Sequence, residues 1–414
     1  MDNAFKVGLI GCGNIAAAHL NAYQLLKDEG LLGNITIAAL CDMNRDNALR
    51  FASPADGVSP FPGVGPQNDP MRAPHVYVTD FQSQAPRVFS DYKEMLRAMD
   101  LDAVEIYTTL HTHHVIALDA LRAGKHVFVE KPLAISIKAA RAMVEEAERR
   151  GLVLGVAESF RFQKAQRVKK WIIDQGLIGA PRLSISVAAG GYWSPDQIVA
   201  HTAWRHKKLL GAGGWAVDCF VHGAHARRHL FGEVEEVSGT VQTIELLRRR
   251  RDEAGSVLEE VTCDCDDTIC ASLFFQSGMV SHIAQSWAGS PHAPLGADVV
   301  YGTEGCIAKD LAIRNDGRQI PMQKTFADKA GPALIERYFP KGVEDVFALE
   351  TLDFLRAAQG QGRMESSGLE GLMDLGVCFS LLESSATGRR VKVEDIVAGR
   401  LSQYEDPINK HYNI

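Results

Sequence analysis

A glycine-rich turn near the start of the chain constrains the fold more strongly than any other feature. The short apolar run Phe5–Ile10 is typical of a buried strand, and a helical pattern follows over Asn14–Leu26. Between them stands Gly11-Cys-Gly-Asn-Ile-Ala16, whose glycines permit a tight turn and a close backbone approach, while the alanine lets the helix pack near the sheet. The pattern predicts a dinucleotide-binding strand–turn–helix, although glycines alone are also compatible with an ordinary strand–helix turn.

A carboxylate at the end of the next predicted strand supports the interpretation of this turn as a dinucleotide-binding site. Asp42 follows the apolar run Thr36–Cys41. An acid at this point accepts hydrogen bonds from both hydroxyls of an adenine ribose and repels a 2′-phosphate, so NAD is expected rather than NADP. Asn44 and Arg45 follow closely and soften that preference. The cofactor contacts expected here are Gly11, Gly13, Asn14, Ile15 and Asp42.

The rest of the first third alternates apolar runs with helical patterns. Continuous apolar strands separated by amphipathic helices predict βαβ units and a parallel sheet covered on both faces. The predicted strands are Ala103–Tyr107, His126–Val129 and Leu152–Ala157, and the predicted helices are Asp46–Ala52, Thr112–Ala123 and Ile137–Arg150. We expect a nucleotide-binding domain over residues 1–158.

A proline-rich segment, residues 53–90, interrupts this alternation and contains seven of the 16 prolines of the chain. Proline lacks an N–H donor and restricts the residue before it, so the segment is expected to contain neither a central strand nor a long helix. A surface insertion accounts for such a loop, and a lid or a subunit-contact arm is the alternative.

Beyond about residue 160 the pattern changes to long strands joined by turns, which predicts an antiparallel or mixed sheet in a second domain. The predicted strands are Leu183–Ala189, Val234–Leu247, Thr268–Phe275, Val280–Trp287 and Asp298–Tyr301, and helical patterns return at Val346–Ala358 and Gly368–Ala386. At roughly 150 residues per domain, a chain of 414 residues fits two or three domains. We expect two, the second over residues 159–414.

The charge balance excludes several classes of partner. Lysine and arginine together number 44 against 51 acids, which gives a net charge of -7 and no broad basic field for nucleic acid or an anionic membrane. No apolar run approaches the roughly 20 residues of a membrane span, and the start of the chain does not resemble a signal peptide. The eight cysteines are too scattered for a disulfide framework. We therefore expect a soluble cytoplasmic protein.

Further motifs carry a resemblance to a known family. The chain resembles the glucose–fructose oxidoreductase, inositol dehydrogenase and MocA family (Gfo/Idh/MocA). The matching segments, in chain order, are the turn Gly11–Ala16, the triplet Glu130–Pro132, Gly213–His222, Tyr301–Gly305, the region Ser384–Val391 and the ending Pro407–Ile414. The resemblance implies a Rossmann domain joined to an α/β domain with a large, mostly antiparallel open sheet. That sheet often serves in oligomer contacts, so a homo-oligomer, a dimer or tetramer, is expected.

The triplet supplies the first candidate catalytic residue. Glu130 and Lys131 follow a predicted strand, where ligands bind in an open parallel sheet. A lysine beside a nicotinamide donates a hydrogen bond to the substrate oxygen, and both residues are expected near the cofactor. From the residues alone a surface Lys–Glu pair is the better interpretation, and it is the family position that favours a catalytic Lys131.

A second constellation lies in the predicted helix Gly214–Phe231. The i, i+4 spacing places Asp218 and His222 on one helical face. Histidine is well suited to remove a hydroxyl proton near neutral pH, and a carboxylate orients the substrate or the imidazole. The resemblance implies that both line the reacting centre. The chain departs from the family at His225, where many members carry an acid, so the substrate stays open.

Other contacts are expected from the loop after the strand Ala103–Tyr107 and from the second domain. The resemblance places Thr109, His111 and His114 beside the cofactor, although a helix-capping role explains each of them nearly as well. An indole face suits a sugar ring, and arginine suits hydroxyls or a carboxylate. The expected substrate contacts are Arg161, Tyr192, Trp204 and Arg205, each of which also fits a core or surface role.

No metal site is expected. His222, His225 and His229 share a helical stripe, but no further ligand with suitable spacing completes a set. On one strand, Cys263 and Cys265 face the side opposite Cys270, so these thiols are not expected to converge.

The sequence thus predicts an NAD(P)-dependent oxidoreductase that transfers hydride between nicotinamide and a hydroxyl-bearing carbon of a sugar, polyol or sugar derivative. Two alternatives stay open from the resemblance. Some relatives cleave glycosides through transient oxidation and elimination, and one branch is a non-catalytic, nucleotide-sensing regulator. Retention of Lys131, Asp218 and His222 argues against the regulator.

Overall fold

The chain divides into two compact units. The computed structural model describes residues 4–60, 73–191 and 193–414. The first unit comprises residues 1–135, 139–159 and 343–371, and the second comprises residues 136–138, 160–342 and 372–414. The sequence placed a single boundary after residue 158, whereas the structure returns a later segment, 343–371, to the first unit.

The first unit is built on a six-stranded sheet in which every neighbouring pair is parallel. Its spatial order is β3-β2-β1-β4-β5-β6. The strands are β1 (Phe5–Ile10), β2 (Ile35–Cys41), β3 (Arg87–Phe89), β4 (Ala103–Ile106), β5 (His126–Glu130) and β6 (Leu154–Ala157). This is the doubly wound order of a Rossmann domain, and the predicted fold class is confirmed.

The second unit contains a nine-stranded sheet of order β16-β15-β14-β13-β7-β12-β11-β8-β17 and a separate two-stranded ribbon, β9–β10. Only β7 and β12 pair in parallel, so the sheet is mostly antiparallel, as predicted. The strands are β7 (Pro181–Ala189), β8 (Val234–Gln242), β9 (Leu247–Arg251), β10 (Val257–Thr262), β11 (Thr268–Phe275), β12 (Val280–Ser286), β13 (Leu295–Gly302), β14 (Gly305–Ala308), β15 (Leu311–Arg314), β16 (Gln319–Pro321) and β17 (Val391–Lys392).

Helices connect and cover these strands. In chain order they are α1 (Asn14–Asp28), α2 (Arg45–Ala52), α3 (Val78–Phe81), α4 (Tyr92–Ala98), α5 (His113–Arg122), α6 (Ile137–Arg150), α7 (Lys164–Asp174), α8 (Lys208–Gly211), α9 (Phe220–Phe231), α10 (Met322–Lys329), α11 (Pro332–Tyr338), α12 (Val346–Ala358), α13 (Gly368–Thr387), α14 (Val393–Val397) and α15 (Asp406–Tyr412). Among the described residues, no helix combines the length and the apolar character that a membrane span requires.

Aromatic packing explains why α12 belongs to the first unit. The ring of Phe354 stacks on Phe128 of β5 with centroids 4.9 Å apart, and the ring of Phe347 lies edge-on to His19 of α1 at 5.2 Å. The Val156 N–H donates to the Ser366 carbonyl at 2.9 Å, which ties the chain after α12 to β6. Packing of these aromatic side chains stabilises the association of α12 with β5 and α1, although α12 lies far from both in the sequence.

The proline-rich segment 53–90 lies partly outside the described residues, at 61–72. Its described part contains α3 and the short strand β3, which lies at the edge of the sheet. The prediction that it holds no central strand agrees with this position, because an edge strand needs only one set of ladder hydrogen bonds.

The predicted strand Val234–Leu247 is wrong in its second half, because β8 ends at Gln242. The carboxylate of Asp267 accepts the N–H groups of Ile244 at 3.0 Å and Glu245 at 2.8 Å, which removes them from a strand ladder. The chain then enters the ribbon, where Arg248 is fully buried with its Nη2 3.3 Å from Asp267 Oδ2.

Candidate active site

The predicted cofactor residues of the first unit lie at the carboxyl ends of its parallel strands. Strands β1 and β4 are neighbours, although β2 and β3 come between them in the sequence, so the strand order reverses direction at this pair. Ligands bind beyond the strand ends at such a point. The glycine turn follows β1, Asp42 follows β2, Thr109 follows β4, and Lys131 follows β5.

The two glycines of the turn have different physical roles. Gly11 has φ +95°, and a Cβ there would lie 2.6 Å from the Tyr107 carbonyl oxygen, so the turn itself requires glycine. A Cβ on Gly13 would meet nothing within 4 Å. Gly13 also immediately precedes α1 as its N-cap residue, and it has no side chain to cap the first N–H groups of that helix, at Asn14 and Ile15. The open space and the uncapped helix start fit a dinucleotide pyrophosphate.

The carboxylate of Asp42 is held in place by the turn and by its own loop. Its Oδ2 accepts the Cys12 N–H at 2.9 Å, and its Oδ1 accepts the Asn44 N–H at 2.9 Å and the Asn47 amide at 3.2 Å. These donors fix the orientation of the carboxylate and leave it acceptor capacity for further hydrogen bonds. The arrangement fits the adenine-ribose role that the sequence assigned to Asp42.

Three histidines after β4 differ in burial: His111 is half-buried, whereas His113 and His114 are buried at the start of α5. Thr109 and His111 are half-buried at a 3₁₀ turn, Leu110–Thr112. Burial, reinforced by the neighbouring His113, lowers the pKa of His114 to about 4, so His114 is neutral at physiological pH.

Sequence reasoning missed His113. Its Nδ1 lies 3.0 Å from the Pro132 carbonyl oxygen and its Nε2 lies 3.1 Å from the Thr108 carbonyl oxygen. Burial lowers its pKa, and a neutral imidazole donates from only one nitrogen at a time. His113 therefore lies between carbonyl groups of the loop after β4 and the loop after β5 and, when neutral, donates to one of them; no local sequence pattern predicts this placement.

Glu130 holds the backbone of Lys131. Its Oε1 lies 3.0 Å from Nε2 of the wholly buried His19, and its Oε2 accepts the Lys131 N–H at 3.0 Å. A core histidine is therefore one partner of the Glu130 carboxylate. His19 was missed from the sequence because its partner lies 111 residues away.

A buried layer of acids and phenols lies behind His19. The rings of His19 and Tyr107 stack with centroids 4.0 Å apart, and the hydroxyl of Tyr107 donates to Glu105. The hydroxyl of Tyr23 donates to the other Glu105 oxygen at 2.7 Å. Burial raises the pKa of Glu105, and burial together with the charge of Glu130 raises the pKa of Glu350 well above its usual range. This layer therefore favours neutral carboxyl groups.

The predicted helix of the second unit starts irregularly. Residues Trp215–Cys219 form a π-helix, and the α-helix α9 follows from Phe220. A π-turn often marks a functional site, and its wider winding alters the simple i, i+4 relation between Asp218 and His222. Asp218 Oδ2 accepts from Arg205 Nε at 3.0 Å. The His222 ring stacks on Phe160 with centroids 4.4 Å apart.

The structure connects two of the four predicted substrate residues to Asp218. The guanidinium carbon of Arg205 lies 4.3 Å from the Trp204 ring centroid, and Arg205 also donates to Thr202 Oγ1. Arg161 lies in a 3₁₀ turn, Ser159–Phe162, and its charge helps to lower the pKa of His229. Tyr192 lies outside the described residues.

The histidine stripe of α9 has protein partners. His225 Nδ1 lies 2.7 Å from Asp374 Oδ2, and both side chains are buried. Burial lowers the pKa of His229 to about 3. Within the described residues, no three His, Cys, Asp or Glu side chains are grouped so as to hold a metal ion.

The three cysteines 263, 265 and 270 do not share one strand, contrary to prediction. Cys263 and Cys265 lie in the loop between β10 and β11, not on one strand, and only Cys270 lies in a strand. Burial raises the pKa of Cys263 and raises that of Cys265 well above its usual range, so both thiols stay protonated.

Two family models match this chain. The model described as "Oxidoreductase family, NAD-binding Rossmann fold" matches residues 5–158, and the model described as "GFO/IDH/MocA C-terminal domain" matches residues 165–308. The chain belongs to the Gfo/Idh/MocA family. It is an NAD-binding oxidoreductase, and the predicted family, enzyme class and cofactor are confirmed.

Individual relatives are similar over most of their length. The 1,5-anhydro-D-fructose reductase of Ensifer adhaerens is 28% identical over 307 residues, which is 73% of this chain and 83% of the relative. The levoglucosan dehydrogenase of Pseudarthrobacter phenanthrenivorans is 25% identical over 95% of this chain and 99% of its own. A solved structure of a levoglucosan dehydrogenase with NADH and L-sorbose has a TM-score of 0.71 at 22% identity, covering 95% of this chain and 100% of that chain.

Proposed function

We propose that this member of the family transfers hydride between NAD and a hydroxyl-bearing carbon of a sugar, polyol or sugar derivative. The observation that carries the proposal is the fixed Asp42 carboxylate beside the open Gly13 turn, which fits NAD without a 2′-phosphate. The relatives named as acting on 1,5-anhydro-D-fructose and levoglucosan support a sugar-like substrate.

The first unit is proposed to hold the cofactor and to polarise the substrate oxygen. Bound NAD supplies a hydride acceptor at its nicotinamide ring. The N–H groups of Asn14 and Ile15 bind the pyrophosphate, and Asp42 binds the adenine ribose. Thr109, His111, His114 and Glu130 are proposed as further cofactor neighbours. Lys131, whose backbone Glu130 holds, donates a hydrogen bond to the reacting oxygen.

The second unit is proposed to handle the substrate proton. His222 accepts the hydroxyl proton during oxidation and returns it during reduction, while Asp218 orients the substrate. The Arg205–Asp218 pair presents a donor and an acceptor whose charges compensate each other. Such a pair suits neutral hydroxyl groups, with Trp204, Arg161 and Tyr192 as additional contacts.

The test is a substrate screen with matched lysine variants. The purified protein is assayed with NAD and NADP against sugars, polyols and anhydrosugars by nicotinamide absorbance. Lys131→Ala is expected to retain NADH binding and lose at least a hundredfold in turnover, whereas Lys27→Ala on the exposed end of α1 keeps turnover. Sugar release without NADH accumulation would instead indicate glycoside cleavage, and tight NAD binding without any turnover would indicate a regulator.

We also propose that the protein is a homo-oligomer through the open face of its nine-stranded sheet. One face of β7 and β13 carries Ile185, Leu295 and Tyr301, which are 41%, 57% and 43% exposed. Cross-strand pairing places Val299 beside Ile185 and Leu183 beside Tyr301, so these apolar side chains are adjacent. An apolar face of this kind marks an interaction site. Ile185→Glu is expected to lower the mass measured by analytical ultracentrifugation, and an unchanged mass would place the contact elsewhere.

A cytoplasmic location completes the proposal. All eight cysteines are free thiols, which is typical of a reducing compartment where NAD is available. Fractionation of the source cells, with detection by antibody, tests this assignment.

A further inference from the structure

The helix that carries Asp218 and His222 begins without a side-chain cap of its own. Gly214 precedes the π-helix Trp215–Cys219 and has no side chain to offer. The first N–H groups of a helix need acceptors from elsewhere. Three consecutive N–H groups, those of Gly214, Trp215 and Ala216, instead donate to a single residue about fifty positions later, Asp266.

The geometry of this cap is specific. Asp266 Oδ1 accepts from the Gly214 N–H at 3.1 Å, and Asp266 Oδ2 accepts from the Ala216 N–H at 2.7 Å. The Asp266 carbonyl oxygen accepts from the Trp215 N–H at 3.0 Å. A Cβ on Gly214 would lie 1.6 Å from that carbonyl oxygen, so only glycine permits the approach. The start of the helix is therefore fixed against Asp266.

The same loop also holds Arg205, the partner of Asp218. The Cys265 thiol donates to the Arg205 carbonyl oxygen at 3.3 Å. The Asp218 N–H donates at 2.9 Å to the carbonyl of Gly214, whose own N–H is bound by Asp266. Residues 265 and 266 thus hold the backbone on both sides of the Arg205–Asp218 ion pair.

We propose that Asp266 is a positioning residue that sets the placement of Asp218 and His222 through the start of their helix. The inference rests on the proposed function, which gives Asp218 and His222 their catalytic roles. The Asp266 carboxylate accepts from backbone N–H groups of the helix start, so we infer that it acts through the helix and not on the substrate.

Ionisation of the Asp266 carboxyl group makes its proposed positioning role measurable as a dependence on pH. Burial raises its pKa to about 6, Asp267 adds to that rise, and the N–H groups of Ala216 and Gly214 oppose it. The other titratable groups beside it are Tyr404 and Cys265, and burial raises the pKa of both phenol and thiol. Below about pH 6 the carboxyl group is protonated, and its bonds to the two N–H groups lose their charge assistance.

The test compares two neighbouring buried aspartates. Asp266→Asn is expected to lower kcat at least tenfold, to leave the dissociation constant for NADH within twofold, and to change the acid limb of the kcat profile relative to the wild type. Asp267→Asn is the matched control, because Asp267 is equally buried but holds Ile244, Glu245 and Arg248 instead of the helix. It is expected to lower stability while keeping the wild-type pH profile. Equal profiles for Asp266→Asn and the wild type, or equal losses in both variants, would overturn the proposal.

Amide hydrogen exchange keeps the inference testable if Asp266→Asn fails to fold. In the wild type, protection of the amides at 214–216, corrected for intrinsic rates, is expected to fall as the pH drops through 6. Constant protection would overturn the role of the ionised carboxylate. Failure of the proposed function is seen separately, because Asp218→Asn and His222→Gln would then retain full turnover while this protection pattern persists.

Discussion

His19 and Glu130 form a partly buried pair, with Nε2 and Oε1 3.0 Å apart, although 111 residues separate them in the chain. The second oxygen of Glu130 accepts the Lys131 N–H. A histidine in the core of the Rossmann unit thereby supports the backbone of the proposed catalytic lysine, and helix α1 connects that support to the cofactor turn at its own N-terminus.

Removal of the histidine donor is expected to destabilise the first unit. His19→Leu leaves the Glu130 carboxylate partly buried with one partner lost, and the free energy of unfolding is expected to fall by about 3 kcal/mol. His19→Gln retains an amide donor and is expected to lose less than half as much. Urea unfolding measures both, and equal losses would show that ring packing rather than the donor matters.

Alanine substitutions of Gly11 and Gly13 are expected to have different effects, the first on stability and the second on cofactor affinity. Gly11→Ala places a Cβ 2.6 Å from the Tyr107 carbonyl at positive φ, so the cofactor-free protein is expected to lose about 2 kcal/mol of stability. Gly13→Ala has space for its methyl group and keeps its stability, but that methyl occupies the proposed pyrophosphate space. NADH affinity is expected to fall at least tenfold, as measured by fluorescence titration. Wild-type affinity in Gly13→Ala would contradict the assignment.

Substitution of Asp42 is expected to change the choice between NAD and NADP. Asp42→Ser removes the charge that repels a 2′-phosphate and one acceptor for the ribose hydroxyls, so the ratio of NADPH to NADH affinity is expected to rise at least tenfold. Asp42→Asn removes the same charge but keeps an acceptor oxygen for the Cys12 N–H, so it separates the effect of the charge from the loss of the contact with the turn. Both dissociation constants are measured at one ionic strength, and an unchanged ratio would remove Asp42 from the selectivity.

Glu350 is expected to give a pH-dependent stability difference. Within the part of the chain that the structure describes, neither of its buried oxygens has a hydrogen-bond partner, and burial with the charge of Glu130 raises its pKa well above the usual range. Its contribution to stability is therefore present below the pKa of the unfolded chain and is lost as the pH rises through the native pKa. The stability of Glu350→Gln relative to the wild type is expected to increase from pH 5 to pH 9 in urea unfolding. The exposed Glu148→Gln on α6 should show no such trend.

Local sequence patterns were sufficient to predict the bounds of helices and strands that depend only on their own residues. The bounds of β1, α6, β11 and α12 agree with prediction because each is a periodic or continuous apolar run. The predicted strand Val234–Leu247 failed because Asp267, a residue from outside the run, binds two of its N–H groups. Competition from a distant acceptor is invisible in a window of neighbouring residues.

At the candidate site, too, features set by the local pattern were predictable and features set by distant partners were not. The positions of Asp42 and Lys131 were predictable because the βαβ pattern fixes where strands end, whereas the catalytic role expected of Lys131 came from the family resemblance. Their supports, such as His19 and His113, were not, since each depends on partners brought together by the fold. The π-helix before α9 was also missed, because the acceptor that fixes its start is Asp266.

The return of residues 343–371 to the first unit has a consequence for biosynthesis. The ring of Phe128 and the ring of His19 receive their α12 partners, Phe354 and Phe347, only after more than three-quarters of the chain has been made. The Rossmann unit therefore cannot complete its core until the ribosome has synthesised residues 160–342 of the second unit. A gene fragment that stops at residue 158 is expected to yield an incompletely packed, aggregation-prone product, and a nucleotide-binding fragment made for expression needs α12 joined to it.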